Sequence, residues 1–152
     1  MDIAAQLATV TLFHGLDAHA LAAIAGLGTP RTLAPGEILV EEGQLNNTLH
    51  VVLEGKLDIS LPASPGRLRS IHLRTCRAGE VVGEYSAFDQ DLVSAQVQAI
   101  TPCEVLQIDA SELDAMMLKS APVASRVYRN VIRTLIRRLR DKDAELDILV
   151  PF

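Results

Sequence analysis

The sequence has few cysteines and no long uncharged hydrophobic run. Its two cysteines, Cys76 and Cys103, are too few for a disulfide framework or a four-cysteine metal site. No apolar stretch approaches the roughly 20 residues that a membrane-spanning helix needs. The first residues carry no basic segment ahead of an apolar run, so they do not resemble a secretory signal. We therefore expect a cytoplasmic protein with no resident metal or cofactor and no membrane anchor.

The charge of the chain disfavours one class of partner and leaves another open. A formal net charge of −5 argues against a general nucleic-acid-binding surface. One late segment is nevertheless rich in arginine, and it is either the solvated face of a long helix or a surface that contacts phosphate. Its members are Arg126, Arg129, Arg133, Arg137, Arg138 and Arg140.

Residues 1–30 are predicted to be an N-terminal helical segment. The chain of 152 residues fits a single domain, with 49% hydrophobic and 22% charged residues. Asp17 is a suitable N-cap, and the apolar residues after it recur at helical spacing. Gly26, Gly28 and Pro30 are expected to end the helix.

Residues 31–110 have the pattern of a β-rich domain. Short runs of β-type residues alternate with turn signals such as Pro35-Gly36 and Gly55. Between Val51 and Leu61 hydrophobic and polar residues partly alternate, which predicts a strand with one buried face. Regularly spaced short strands of this kind predict a sandwich or a barrel.

Residues 111–152 are predicted to be helical. Asp109 and Glu112 form a capping-box-like pair for a short helix, and Pro122 begins a long one. Within the long helix, apolar residues alternate at spacings of three and four, as in a coiled-coil seam interrupted by Lys142. This helix either packs on its own domain or forms a homodimer, and the predicted dimer residues are Tyr128, Ile132, Leu135, Leu139, Leu146 and Leu149.

The pair Gly83-Glu84 precedes a segment that is predicted to form a single helical turn between two strands. The start of a helix presents unpaired N–H groups and the positive end of the helix dipole, which together favour an anion. Glu84 either accepts a hydrogen bond from a ligand hydroxyl or only stabilises the start of the helix. The residues alone do not decide between these two roles.

Four segments together resemble the cyclic-nucleotide-binding domain family: PGEILVEEG, LHVVLEGKLDIS, AGEVVGEYSAF and SAQVQAITPCEVLQID. The resemblance covers about residues 12–149. It implies an eight-stranded antiparallel β-roll of the double-stranded β-helix or jelly-roll type. N-terminal helices and a long C-terminal helix would flank the roll, and a phosphate-binding cassette would occupy residues 83–97.

The resemblance also implies roles for individual residues. In the family, Gly83 allows close approach of the backbone, Glu84 holds the ribose 2′-hydroxyl, and backbone N–H groups near Ser86 and Ala87 meet the cyclic phosphate. An arginine that pairs with this phosphate is expected just before a Ser-Ala pair, and here Val93 occupies its position. The remaining predicted ligand-binding residues are Ser94 and Ala95 in the cassette, and Lys142 and Asp143 near the base.

Valine in place of the arginine leaves three interpretations open. The pocket is vestigial, and the domain acts by dimerisation and by contacting an unknown protein partner. Alternatively, it binds cAMP or cGMP weakly, with help from another arginine such as Arg67, Arg69 or Arg74. The third interpretation is a different ligand, such as a cyclic dinucleotide.

Two further functions are not expected. Ser86, Ser94, His72 and Glu84 show no nucleophile elbow or triad signature, so we expect a regulatory protein rather than an enzyme. Transcription factors of the family carry a helix-turn-helix after the long helix. This sequence shows none there, so we expect no direct DNA binding.

Overall fold

The computed structural model describes residues 2–149, apart from the side chains of residues 85–87. Five helices and a 3₁₀ turn (Thr11–Phe13) surround a β-rich middle. The helices are α1 Ile3–Leu7, α2 Ala18–Leu27, α3 Glu84–Asp89, α4 Ala110–Leu118 and α5 Ala121–Leu149. The strands are β1 Gly28–Leu33, β2 Ile38–Val40, β3 Thr48–Glu54, β4 Lys56–Leu61, β5 Ile71–Arg77, β6 Val81–Val82, β7 Gln96–Ala99 and β8 Cys103–Asp109.

The eight strands form two four-stranded sheets. Their orders are β1-β8-β3-β6 and β2-β7-β4-β5, and every pairing is antiparallel. The sheets face each other across an apolar core that includes Val52, Leu57 and Val97. A mainly β fold with an eight-stranded antiparallel roll and flanking helices is therefore confirmed.

The first sheet is covered on its outer side by helices. Leu49 and Val51 of β3 pack there with Phe13 and Ile24, whereas Val52 of β3 points into the roll. Because β3 lies between two apolar layers, it is buried on both faces, and the prediction of one buried face from Val51 to Leu61 is wrong for β3. The run is also divided in two by Gly55, whose φ is +92°.

The N-terminal helical segment is shorter than predicted. Asp17 caps α2 as expected, since its carboxylate accepts a hydrogen bond from the Ala20 N–H at 2.8 Å. Strand β1 begins at Gly28, so the predicted helical segment, residues 1–30, extends three residues too far. A side chain at Gly28 would overlap Leu106, and Pro30 is tolerated because β1 is an edge strand.

Helix α5 is fixed to the N-terminal part of the domain near its first third. Asn130 is buried, and its side-chain N–H group donates to the carbonyl oxygens of Leu12 and His14, both at 2.9 Å. Val127 is fully buried one turn earlier. These contacts set the rotation of α5, so that the following turns pass over the roll near α3.

Candidate functional site

The segment between β6 and α3 makes a tight turn at Gly83. Its φ is +86°, and a Cβ atom there would lie only 2.6 Å from the Thr48 carbonyl oxygen. Only glycine combines this backbone conformation with such a close approach. The turn places Glu84 at the start of α3, beneath α5, where the residue is 7% exposed.

A cleft of about 500 Å³ lies between the roll and α5. Its apolar wall is formed by Ile59, Leu73, Val82, Val93, Val97, Leu135 and Leu139. Its charged residues are Arg74, Glu84, Arg138, Asp141, Lys142 and Glu145, and Gly83, Ser94 and Ala95 complete it. Of the cassette residues predicted from the sequence, five thus meet in one cleft: Gly83, Glu84, Val93, Ser94 and Ala95.

Glu84 is held between two arginines from different elements. The Arg138 Nη1 atom of α5 donates to the Glu84 Oε1 atom at 2.6 Å. The Arg74 Nη2 atom of β5 lies 3.7 Å from the same oxygen, and its Nη1 atom lies 3.8 Å from Glu80. A short charge-assisted hydrogen bond of this kind is among the stronger polar contacts in proteins. The bond between Arg138 and Glu84 links α5 to α3.

Of the substitute arginines predicted from the sequence, the structure places only Arg74 in the cleft. Arg67 instead forms two hydrogen bonds with Glu42, at 3.1 and 3.2 Å, and one with the Pro62 carbonyl oxygen. The bonded Arg67 guanidinium lowers the pKa of the Glu42 carboxyl. Arg69 is exposed and does not line the cleft, so Arg67 and Arg69 are wrong as cleft cations.

Val93 forms part of the apolar wall of the cleft. Its N–H donates to the Gln44 carbonyl at 2.9 Å, and its carbonyl accepts from the Gly43 N–H at 2.8 Å. Its side chain is half-buried against the core of the roll. The backbone of Ser86 and Ala87 belongs to α3, but their side chains lie outside the described residues.

Lys142 and Asp143, the two residues expected near the nucleotide base, lie on different faces of α5. Lys142 lines the cleft, and its Nζ atom donates to Glu145 at 3.0 Å. Asp143 is exposed and is not part of the cleft lining. At 3.6 residues per turn, positions 138, 142 and 145 share one helix face, and position 143 points away from it. Asp143 therefore does not line this cleft, and its predicted contact with a ligand stays a prediction.

The charges of the cleft balance formally. Three cations, Arg74, Arg138 and Lys142, face three carboxylates, Glu84, Asp141 and Glu145. Both arginines lie at the Glu84 end, where they are already engaged with carboxylates. The Val93 side chain supplies no cation at the position where the resemblance requires one.

Comparison with known proteins shows the family of the chain. The family model of the cyclic nucleotide-binding domain matches residues 30–120. The chain belongs to the cyclic nucleotide-binding domain family. It is 30% identical over 138 residues to the cyclic AMP receptor protein of Thermus thermophilus, covering 91% of this chain and 61% of that protein. The chain thus spans about three fifths of that relative.

Solved structures of cyclic nucleotide-binding proteins have the same fold. The catabolite activator protein of Thermus thermophilus has a TM-score of 0.77 at 29% identity, over 91% of this chain and 62% of that one. A cyclic nucleotide-binding domain from Methylobacillus flagellatus has a TM-score of 0.83 over 99% of this chain and 83% of that one. Its identity of 16% supports the fold alone.

The family also occurs within a membrane channel. The chain is 25% identical over 125 residues to a cyclic nucleotide-gated potassium channel of Rhizobium etli, covering 82% of this chain and 33% of the channel. Within residues 2–149, no helix is long and apolar enough to cross a bilayer. The same residues contain no group of three or more His, Cys, Asp or Glu side chains that could hold a metal ion.

Arg138 is the residue that the sequence did not reveal. It lies in an arginine-rich run in which no member is distinguished by type, and it is 54 residues from Glu84 along the chain. Its role depends on the rotation of α5, which Asn130 and Val127 set through contacts with the N-terminal part. Helical spacing from these two anchors would have indicated the face on which Arg138 lies.

Proposed function

We propose that the domain is a regulatory module whose cleft binds cyclic nucleotides weakly. The observation that carries this proposal is the lining of the cleft, which contains Glu84 and Val93. We assign Glu84 to the ribose hydroxyl, and the family resemblance puts Val93 at the position of the arginine that pairs with the phosphate. Arg138 already occupies Glu84, so a ligand must share or displace that contact. We further propose a cytoplasmic location, a partner protein as the target, and no catalytic activity.

The role of Glu84 can be tested by removing one hydroxyl from the ligand. If Glu84 accepts from the ribose 2′-hydroxyl, 2′-deoxy-cAMP should bind roughly 10- to 100-fold more weakly than cAMP, the worth of one hydrogen bond to a charged group. Titration calorimetry would measure both ligands on the native chain and on Glu84→Gln. The difference in affinity between the two ligands should be smaller in the variant. An unchanged difference would mean that Glu84 does not bind the ribose hydroxyl.

We also propose that the domain forms a homodimer through α5. The described part of the helix leaves a set of apolar side chains exposed, which we call the α5 stripe: Tyr128, Ile132, Leu139, Leu146 and Leu149. Their exposed fractions run from 42% to 74%. Apolar side chains grouped in this way indicate a surface that another molecule covers.

Leu135 does not belong to the α5 stripe. The three-and-four spacing of apolar residues predicts Leu135 as a dimer residue. In the structure it is half-buried and lines the cleft together with Val93 and Arg138. Its side chain lies toward the face of α5 that packs on the roll, so a substitution at Leu135 would disturb the cleft and the dimer together.

Ile132→Asp should therefore dissociate the dimer. It buries a carboxylate in an apolar contact, and we expect the dissociation constant to rise at least roughly 100-fold, from a cost of about 3 kcal/mol. Analytical ultracentrifugation measures this constant directly. Ile148→Asp is the matched control, since Ile148 is 79% exposed on the opposite side of the same helix and should leave the dimer intact. Equal effects of both changes would argue against the α5 stripe.

The neutral cleft also favours a second candidate function. Glu84 is already bonded to Arg138 of α5, and Val93 is apolar. Such a domain can serve as an interaction module without a ligand. In that case the α5 stripe and a protein partner would carry the function. Absence of any cAMP-dependent heat or shift in melting temperature would favour this second candidate.

A further inference from the structure

A long part of the chain that includes most of α5 contains no acidic residue. Residues 115–140 include six arginines and one lysine, with no aspartate or glutamate among them. Five of these arginines are spaced by three, four, four and three residues, so they share one side of the helix. We call this side the arginine face, and its members are Arg126, Arg129, Arg133, Arg137 and Arg140. At 1.5 Å per residue it is about 21 Å long.

The arginine face is separate from the two sides of α5 described above. Successive residues of an α-helix are rotated by about 100°. With this rotation, the arginine face, the α5 stripe and the side that carries Val127 and Asn130 each lie roughly a third of a turn from the next. None of the five arginines lines the cleft. A molecule bound to the arginine face would therefore leave the cleft and the α5 stripe uncovered.

The positive charge of the arginine face is not balanced within residues 2–149. None of its five guanidinium groups forms a salt bridge there. Four of the five residues are exposed, and Arg126 is half-buried beside Gly15, where an added Cβ atom would lie 3.1 Å from the Arg126 Nε atom. Like charges three or four residues apart destabilise a helix. Because solvated helix faces usually mix both signs, a face of one sign indicates an anionic partner.

We propose that the arginine face binds an acidic helix of a partner protein. Such a helix has the same pitch of 5.4 Å, so carboxylates at spacings of three and four would lie opposite the guanidinium groups along the whole face. Arginine and carboxylate also match in shape, since two parallel N–H groups can donate to the two oxygens. This inference rests on the protein partner proposed above and adds the surface and the chemistry that recognise it.

The residues that follow the arginine face disfavour a longer or flat polyanion. Four carboxylates lie within residues 141–147, directly after Arg140. Asp147, seven residues beyond Arg140, returns to the same side of the helix. A nucleic acid duplex or an anionic membrane would extend over these carboxylates and be repelled by them. A partner helix of about four turns matches the length of the face and ends before them.

Two synthetic helical peptides test the proposal directly. The matched peptide carries five glutamates at spacings of three, four, four and three, and the scattered peptide carries the same residues with its glutamates distributed around the helix. Fluorescence anisotropy at low salt should show the native chain binding the matched peptide at least roughly tenfold more tightly, because the scattered peptide loses several ion pairs. Added salt should reduce this difference by screening. Equal affinities for the two peptides would overturn the proposal.

Charge reversal on the arginine face gives a second test. The double variant Arg133→Glu, Arg137→Glu should bind the matched peptide at least roughly tenfold more weakly, since two attractions become repulsions. The matched control is Arg69→Glu, Arg77→Glu, at two exposed arginines of the β-rich part that form no salt bridge among the described residues. It makes the same change in net charge and should leave the affinity unchanged. Equal losses would mean general attraction and would overturn the proposal.

Three further measurements separate this proposal from the others. The variant at Arg133 and Arg137 should keep the cAMP affinity and the sedimentation behaviour of the native chain. A changed oligomeric state would assign the arginine face to a contact between copies and overturn the acidic partner. Tighter binding of a DNA duplex, or of phosphatidylserine vesicles, than of the matched peptide would also overturn it. Selective binding of the matched peptide by a chain that does not bind cAMP would support the arginine face and contradict only the cleft proposal.

Discussion

Replacing Val93 with arginine should tighten cAMP binding by roughly ten- to more than a hundred-fold. This range corresponds to a charge-assisted hydrogen bond of about 1.5–3 kcal/mol. Val93 lies in the wall of the cleft on the same segment as Ser94 and Ala95, so an arginine there starts from the position that the family resemblance assigns to the phosphate cation. Titration calorimetry on both proteins measures the gain.

Leu92→Arg is the matched control for this experiment. Leu92 is the neighbouring residue, is 52% exposed and does not line the cleft, so it adds the same charge outside the site. We expect little change in affinity from it. An equal gain in both variants would mean that general attraction of the anion, and not a contact with the phosphate, is responsible. No gain from Val93→Arg would show that the cassette has diverged at other positions too, and would favour the module without a ligand.

The second large effect concerns stability in acid. His50 of β3 is 3% exposed, its Nδ1 atom has no hydrogen-bond partner, and its Nε2 atom lies 3.3 Å from the Gln107 side-chain nitrogen. Burial, with a smaller contribution from Arg31, lowers the pKa of His50 to about 4. The unfolded chain therefore binds a proton near pH 6.5 that the folded chain excludes until about pH 4.

Stability should consequently fall as the pH decreases from 6.5 to 4, because the unfolded state binds more protons over that interval. A difference of this size corresponds to about 3 kcal/mol of unfolding free energy. Urea denaturation at several pH values would measure it. In His50→Leu most of this dependence should disappear, whereas His19→Gln, at an exposed histidine, should keep it. An unchanged profile in His50→Leu would contradict the assignment.

Much of the fold followed from local chemistry that the sequence displays. The caps at Asp17 and Asp109 form as predicted, and the Asp109 carboxylate accepts from the N–H groups of Ser111 and Glu112. Gly36 and Gly55 adopt the positive φ that their turns require. These features depend on a few neighbouring residues, so a pattern in the sequence is sufficient to predict them.

The parts that could not be predicted depend on how distant elements meet. The burial of β3 on both faces requires the helical layer outside the roll. The contact between Arg138 and Glu84, and the placement of Leu135 in the cleft rather than in the α5 stripe, both depend on the rotation of α5. That rotation is set by Asn130 bonding to the N-terminal segment, a contact over more than 100 positions of sequence.

The most direct test of the account is the affinity of the native chain for cAMP. We propose that the cleft keeps the ribose carboxylate of its family, Glu84, and lacks only the phosphate cation, at Val93. Relative to a micromolar site, losing that contact predicts a Kd of about 100 μM or weaker. Titration calorimetry of the native protein at high concentration should give a weak, saturable heat in this range. A Kd below about 1 μM would contradict this proposal, because another cation in the cleft would then have to pair with the phosphate.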